Sequence, residues 1–201
     1  MHLEENQNVF EMEFLVSATA YSPTQKTLHW TLFILVLALY GLSYGDSLFQ
    51  RDDPNRALAR WTHISFGLLL AGLVFWRVVL RLSKGAPKLP SSMTGMEQVL
   101  AKAGHLALYA LLIAIPGLGI LLTWLRGDAL SFFGLFTVSA PFSPDRDIAR
   151  SIKEIHGLCA NGLLILVGIH ALAALWHHFV RKDDILKRMI PNQVSTNAPR
   201  P

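Results

Sequence analysis

SIKEIHGLCANGLLILVGIHALAALWHHFV, residues 151–180, is the stretch that decides the fold. Past Glu154 it carries no charged side chain until Arg181. That is long and apolar enough for a helix crossing a bilayer, which takes roughly 20 mainly apolar residues. Within it lie His156 and His170, fourteen residues apart. At 1.5 Å of rise per residue the two imidazoles sit about 21 Å apart along the axis. Fourteen residues make nearly four whole turns, so both rings leave the same face. Titratable rings are costly inside a bilayer and mark functional positions there. Two such rings toward the two ends of one helix predict two cofactors, one near each membrane surface.

Working outward, three more stretches lack Asp, Glu, Lys and Arg: Thr27 to Gly45, Trp61 to Trp76 and Ala103 to Leu125. The second is short, but Val78 to Leu80 extend it past Arg77, whose long stem reaches the surface. The fold class is therefore all-α, a four-helix transmembrane bundle, with helices expected over Pro23 to Gly45, Ala59 to Leu82, Gly95 to Leu125 and Asp147 to Arg181. Pro23 suits a helix start. Pro116-Gly117 predicts a kink in the third helix. The longest connection, Gly127 to Arg146, holds an apolar piece, Leu130 to Val138, too short to span and expected to lie along the outer interface. Trp30, Trp61, Trp76, Trp124 and Trp176 fall near helix ends and read as an aromatic belt. Residues 1–22 form an acidic N-terminal tail without the features of a signal peptide. Residues 23–191 form the membrane domain, and 192–201 a polar tail expected to be disordered.

Composition excludes several classes. Of 201 residues, 52% are hydrophobic and only 16% charged, against about 25% charged in soluble domains. The net charge of +4 is no nucleic-acid signal, because its basic residues sort by loop. Lys26, the second connection and the C-terminal segment hold eleven, the first and third connections seven. Positive residues favour the cytoplasm, so both termini are expected inside. One cysteine, Cys159, excludes an intramolecular disulfide and any Cys-based iron–sulfur or zinc site.

With that topology each histidine has a depth. His63 and His156 fall at the outer level. His29, His105 and His170 fall at the inner one, with His177 and His178 at the inner rim. A planar macrocycle between two helices needs one imidazole from each side. His63 pairs with His156, and His170 with either His29 or His105. Gly67, Ala160 and Ala174 leave room for a large flat ligand. Arg77 and Arg81 are placed to contact haem propionates, or serve as cytoplasmic anchors. A bare metal ion wants three or four ligands at one point, whereas two histidines per level satisfy the axial positions of a haem. Iron so ligated is closed to oxygen and suited to passing single electrons.

Leu28-His29-Trp30, His63-Ile64-Ser65-Phe66-Gly67, Arg77 to Leu82, Gly104-His105 to Tyr109, Ser151 to His156, Gly168-Ile169-His170-Ala171 and His177-His178-Phe179 to Pro191 carry a resemblance. In this order and spacing, over roughly Tyr21 to Pro191, the chain resembles the bacterial cytochrome b-561 family of dihaem membrane proteins. The resemblance implies two haem b groups, with His63 and His156 on the outer and His29 and His170 on the inner one. His105 is the alternative that spacing alone leaves open. It also implies superoxide as electron donor from outside, ubiquinone as acceptor, a quinone contact at His177 and residence in the bacterial inner membrane. Arg146, Arg150 and Lys153 form a candidate basic patch on the superoxide side. Two other readings stand beside this one. One is a haem-b subunit linking the quinone pool to a partner dehydrogenase; the other, of a different class, is a metal transporter or structural bundle without haem.

Overall fold

A computed structural model describes residues 21–44, 48–50, 52–90 and 92–191. The two tails beyond them, with most of the tail assignments made above, and Gly45, the expected end of the first helix, lie outside the described residues. Among the described residues run four long helices: α1 (Pro23–Leu42), α2 (Pro54–Lys84), α3 (Gly95–Leu125) and α4 (Arg146–Trp176). Each starts at a side chain that accepts backbone N–H groups the first turn leaves unpaired. Ser22 and Thr94 close capping boxes with Gln25 and Glu97, while Asp53 and Asp145 cap α2 and α4. Pro23 and Pro54 occupy first-turn positions, where a missing N–H costs nothing. The third helix runs unbroken through Pro116.

Three of the four, α2, α3 and α4 with its continuation to Arg181, are long and apolar enough to cross a membrane. The first is shorter, and its opening turn is polar. Gln25 and Lys26 are nonetheless buried there, packed under the neighbouring inter-helix segment, where Gln25 Nε2 donates to the Gly85 carbonyl at 3.2 Å. The bundle packs as pairs, α1 on α2 and α3 on α4, joined through α2 and α3. Leu32, Leu35 and Leu39 meet Leu70 and Val74 in one small core; Leu122, Leu125 and Ala149 form a second. Large apolar side chains elsewhere point outward, among them Phe75, Leu106, Leu158, Ile165 and Leu172. In water such a surface would aggregate. In lipid it is the expected exterior, since helices satisfy their own backbone groups.

Two departures from expectation matter for function. The apolar piece Leu130 to Val138, expected only as a segment along the interface, is a β-hairpin, β1 (Leu130–Phe132) on β2 (Phe136–Val138), antiparallel with Phe132 opposite Phe136. Its turn places Phe133 and Gly134 at positive φ, 50° and 74°. Glycine does this freely, while a phenylalanine there carries about 1–2 kcal/mol of strain. The second departure is at the far end of α4. Helix α4 stops at Trp176, and His177–Arg181 widen into a π-helical turn ended by Lys182 at φ 55°.

Three tryptophans do more than anchor. Trp61 Nε1 donates to Ser131 Oγ (3.2 Å) and Trp124 Nε1 to the Val138 carbonyl (3.3 Å), both tying down the hairpin. At the opposite end, Trp30 Nε1 donates to the Met189 carbonyl at 2.9 Å. There Arg181 reaches the Ser92 carbonyl and the Glu97 carboxylate, and Arg188 the Lys88 carbonyl. The bundle thus has a hairpin end and a terminal end, each closed by its own hydrogen bonds.

Candidate functional site

Histidines face each other at two levels. Near the hairpin end, His63 of α2 and His156 of α4 have ring centroids 6.3 Å apart. Near the terminal end, His29 of α1 and His170 of α4 are also 6.3 Å apart, and His105 of α3 lies 5.3 Å from His170. The fourteen-residue spacing in α4 therefore serves both levels, as its single-face geometry demands. Among the described residues no group of three or more His, Cys, Asp or Glu is arranged around one point.

The His63–His156 level lies in a cavity of about 410 Å³, within the usual range for small-molecule sites. Its wall is mostly apolar. Gly67, Gly119 and Ala160 thin it on three helices, and a methyl on Gly119 would touch His156 Cε1 at 3.4 Å. His63 Nδ1–H donates to the Leu39 carbonyl at 3.1 Å, so its Nε2 keeps a lone pair. His156 Nδ1 is buried and has no hydrogen-bond partner among the described residues. Tyr40 donates to Asn161 Oδ1 at 2.9 Å across the α1–α4 side of this cavity.

The cavity mouth is charged. Arg60, Arg126 and Asp128 line it, with Arg60 and Asp128 at 3.9 Å. Arg60, Ile64 and Asp128 also wall an adjoining open cleft of about 810 Å³ that runs along Asp53 and Arg56. The charge sorting along the sequence left Arg146, Arg150 and Lys153 as the candidate patch. These sit on the first turns of α4 but do not line the cavity; Arg150 pairs with Asp147 at 3.9 Å. Arg60 and Arg126 were missed because nothing in their local sequence distinguishes them from helix-end anchors. Their shared place is visible only once the Gly127–Asp145 connection folds back.

At the terminal level Arg77 donates to the Gln25 carbonyl (3.1 Å) and stands 3.3 Å from His29 Nδ1. Arg81 donates to the Tyr21 hydroxyl at 3.3 Å. Arg77 thus stands beside the His29–His170 pair, and Arg81 is held at Tyr21. His177, on the π-helical turn, is buried and holds Asp183 Oδ2 at 2.5 Å through Nδ1. His178 Nδ1 beside it is buried without a hydrogen-bond partner among the described residues. Asp183 escaped the sequence reading because it stands in the polar run after α4, where an acidic residue reads as solvated.

Comparison with known proteins agrees with this architecture. The family described as prokaryotic cytochrome b561 matches residues 20–192. A Yersinia pestis protein named probable superoxide oxidase CybB is 34% identical over 176 residues, covering 86% of this chain and 97% of its own length. Cytochrome b561 homolog 1 of Escherichia coli (strain K12) is 33% identical over 173 residues, covering 86% and 98%. Cytochrome b562 of Cereibacter sphaeroides is 29% identical over 176 residues, covering 85% and 94%.

Proposed function

Because the chain belongs to the prokaryotic cytochrome b561 family, we propose that it is a dihaem membrane oxidoreductase that takes electrons from superoxide and gives them to ubiquinone. Family membership and the spanning helices make it a bacterial membrane protein of the b-type haem class. The finer reading is carried by one observation, the spacing of the imidazole pairs. An axial bond of about 2 Å, plus about 1.1 Å from nitrogen to ring centre, on each side of one metal calls for centroids about 6.2 Å apart. His63–His156 and His29–His170 both stand at 6.3 Å. His105 stands 5.3 Å from His170, about 1 Å short of that span. On this reading His63 and His156 hold one haem b, His29 and His170 the other, and His105 packs beside the second. Arg77 and Arg81 are the guanidinium groups available to propionates at the His29–His170 level.

Haem held between these imidazoles would supply a one-electron carrier. The chain supplies the rest. The Leu39 carbonyl fixes the His63 ring and its tautomer, a support that raises ligand basicity. Arg60 and Arg126 place positive charge at the cavity mouth, where a small anion arrives. Arg146, Arg150 and Lys153, on the first turns of α4, add to the field at a distance. Two superoxide anions yield two oxygen molecules and two electrons; ubiquinone takes those electrons and two protons to become ubiquinol. His177, oriented by Asp183, is the quinone contact on this reading, with Nε2 turned away from that bond. The hairpin end faces outward and both termini face the cytoplasm of the inner membrane, as the sorting of Lys and Arg favours.

Purified protein tests this directly. An optical spectrum before and after dithionite is expected to show b-type haem at two per chain. His63→Ala or His156→Ala is expected to reduce that ratio to one. Anaerobic superoxide should reduce the pigment, and added ubiquinone should reoxidise it. Protein without pigment overturns the reading, as does a His63 or His156 variant that keeps both haems.

A further inference from the structure

Ser65 has a side chain fully removed from solvent, with 0% exposure. A serine inside a helix ordinarily points to solvent or bonds back to the carbonyl four residues earlier. Ser65 does neither. Its hydroxyl donates to the Ser131 carbonyl at 3.0 Å and accepts from the Phe133 N–H at 3.1 Å. One hydroxyl therefore satisfies two backbone groups of the hairpin, one of them on the residue held at positive φ. The Phe133 ring packs edge-on against Trp61 and Phe66, one on each side of Ser65 along α2. Trp61 adds its own bond to Ser131 Oγ.

The strand so fastened begins at Leu130, which is buried and lines the His63–His156 cavity. Two residues further back, Asp128 holds Arg60 at the cavity mouth. Through Leu130 the hairpin thus forms part of the roof of the cavity, and Ser65 lies two residues from His63 on the same helix. We propose that Ser65 is a positioning residue: it latches the hairpin at a fixed height over the His63–His156 site, so that a diatomic anion reaches the site and bulkier redox partners do not. The proposal deepens the haem reading and rests on it. It concerns which molecules reach the hairpin-end site, and it requires the strained turn to be held by this hydroxyl rather than by strand pairing alone.

Ferricyanide, a bulky one-electron oxidant, is a suitable probe, since reduced haem passes it a single electron and yields ferrocyanide. In dihaem protein carrying Ser65→Ala, the hairpin-end haem is expected to be oxidised by ferricyanide several-fold faster than in the unaltered chain. The other haem should keep its rate. Hydrogen exchange should speed at the Phe133 amide and along Leu130–Val138, a change independent of turnover. Ser65→Thr retains the hydroxyl and should restore both. Leu130→Ala opens the same roof without touching the latch, and should raise ferricyanide access even if Ser65→Ala does not accumulate. Unchanged oxidation rates in both alanine variants overturn the proposal, as does Ser65→Thr behaving like Ser65→Ala. An unaltered chain that binds no haem at all overturns the underlying reading instead, so the two failures are distinct.

Discussion

Replacing His29 and His105 in turn separates two ring pairs that share His170, and here two physical indications oppose each other. Spacing favours His29, at 6.3 Å against 5.3 Å for His105. Local hydrogen bonding favours His105. Its Nδ1–H donates to the Ala101 carbonyl at 2.6 Å, the arrangement that frees Nε2 for a metal. His29 Nδ1 instead faces the Arg77 guanidinium at 3.3 Å. A guanidinium only donates, so His29 Nδ1 holds a lone pair and Nε2 holds the proton. Ligation through Nε2 then requires the proton to move to Nδ1 and Arg77 to turn away. The lost hydrogen bond is worth about 1.5–3 kcal/mol, and a propionate offers Arg77 a charged partner that offsets it. Bringing His105 to ligand distance is harder. Its ring sits about 1 Å too close to His170, so the helix backbones would have to part within a packed bundle. Spacing wins. His29→Ala is expected to lower the haem content from two per chain to one, while His105→Ala retains two. Haem assayed as the pyridine complex against chain concentration measures this. Loss of a haem in His105→Ala with none lost in His29→Ala would refute the argument from ring spacing.

Two further outcomes follow from the charged groups. Arg60→Glu removes a cation from the cavity mouth and sets a like charge against Asp128; it should lower the superoxide rate about tenfold at low salt, with a flattened salt dependence. Arg150→Glu, outside the cavity lining and paired with Asp147, should change it far less, because exposed charges are screened by salt; stopped-flow rates across ionic strength decide, and equal effects in the two variants would return the steering role to the α4 patch. Asp183→Asn weakens the orienting bond on His177. It should raise the quinone KM about tenfold, the worth of about 1.4 kcal/mol, with haem content unchanged; an unaltered KM would remove His177 from the quinone contact.

Long-range order along the chain was legible wherever one periodicity or one charge-free run carried it. The four helices follow from apolar runs between capping residues, and the His156–His170 face from fourteen residues in one helix. Pairing of His63 with His156 also follows, because only those two histidines share their level. Features that depend on chain reversal were not legible. The Leu130 to Val138 piece is too short and too apolar to distinguish an interfacial segment from a hairpin. Its turn uses Phe133 where a sequence rule would look for Asn or Gly. That residue is tolerable because Ser65, on another helix, accepts its N–H and Trp61 and Phe66 flank its ring. Local rules fail at this point for a physical reason: tertiary contacts hold a conformation that the local sequence disfavours, and strain so held collects at functional sites. The same logic explains Arg60, Arg126 and Asp128. Each reads locally as a helix-end charge, and the three meet only because the hairpin returns the chain over α2. The polar mouth of the His63–His156 cavity is therefore a product of the roof, and a change that displaces the hairpin should alter charge at the mouth together with access beneath it.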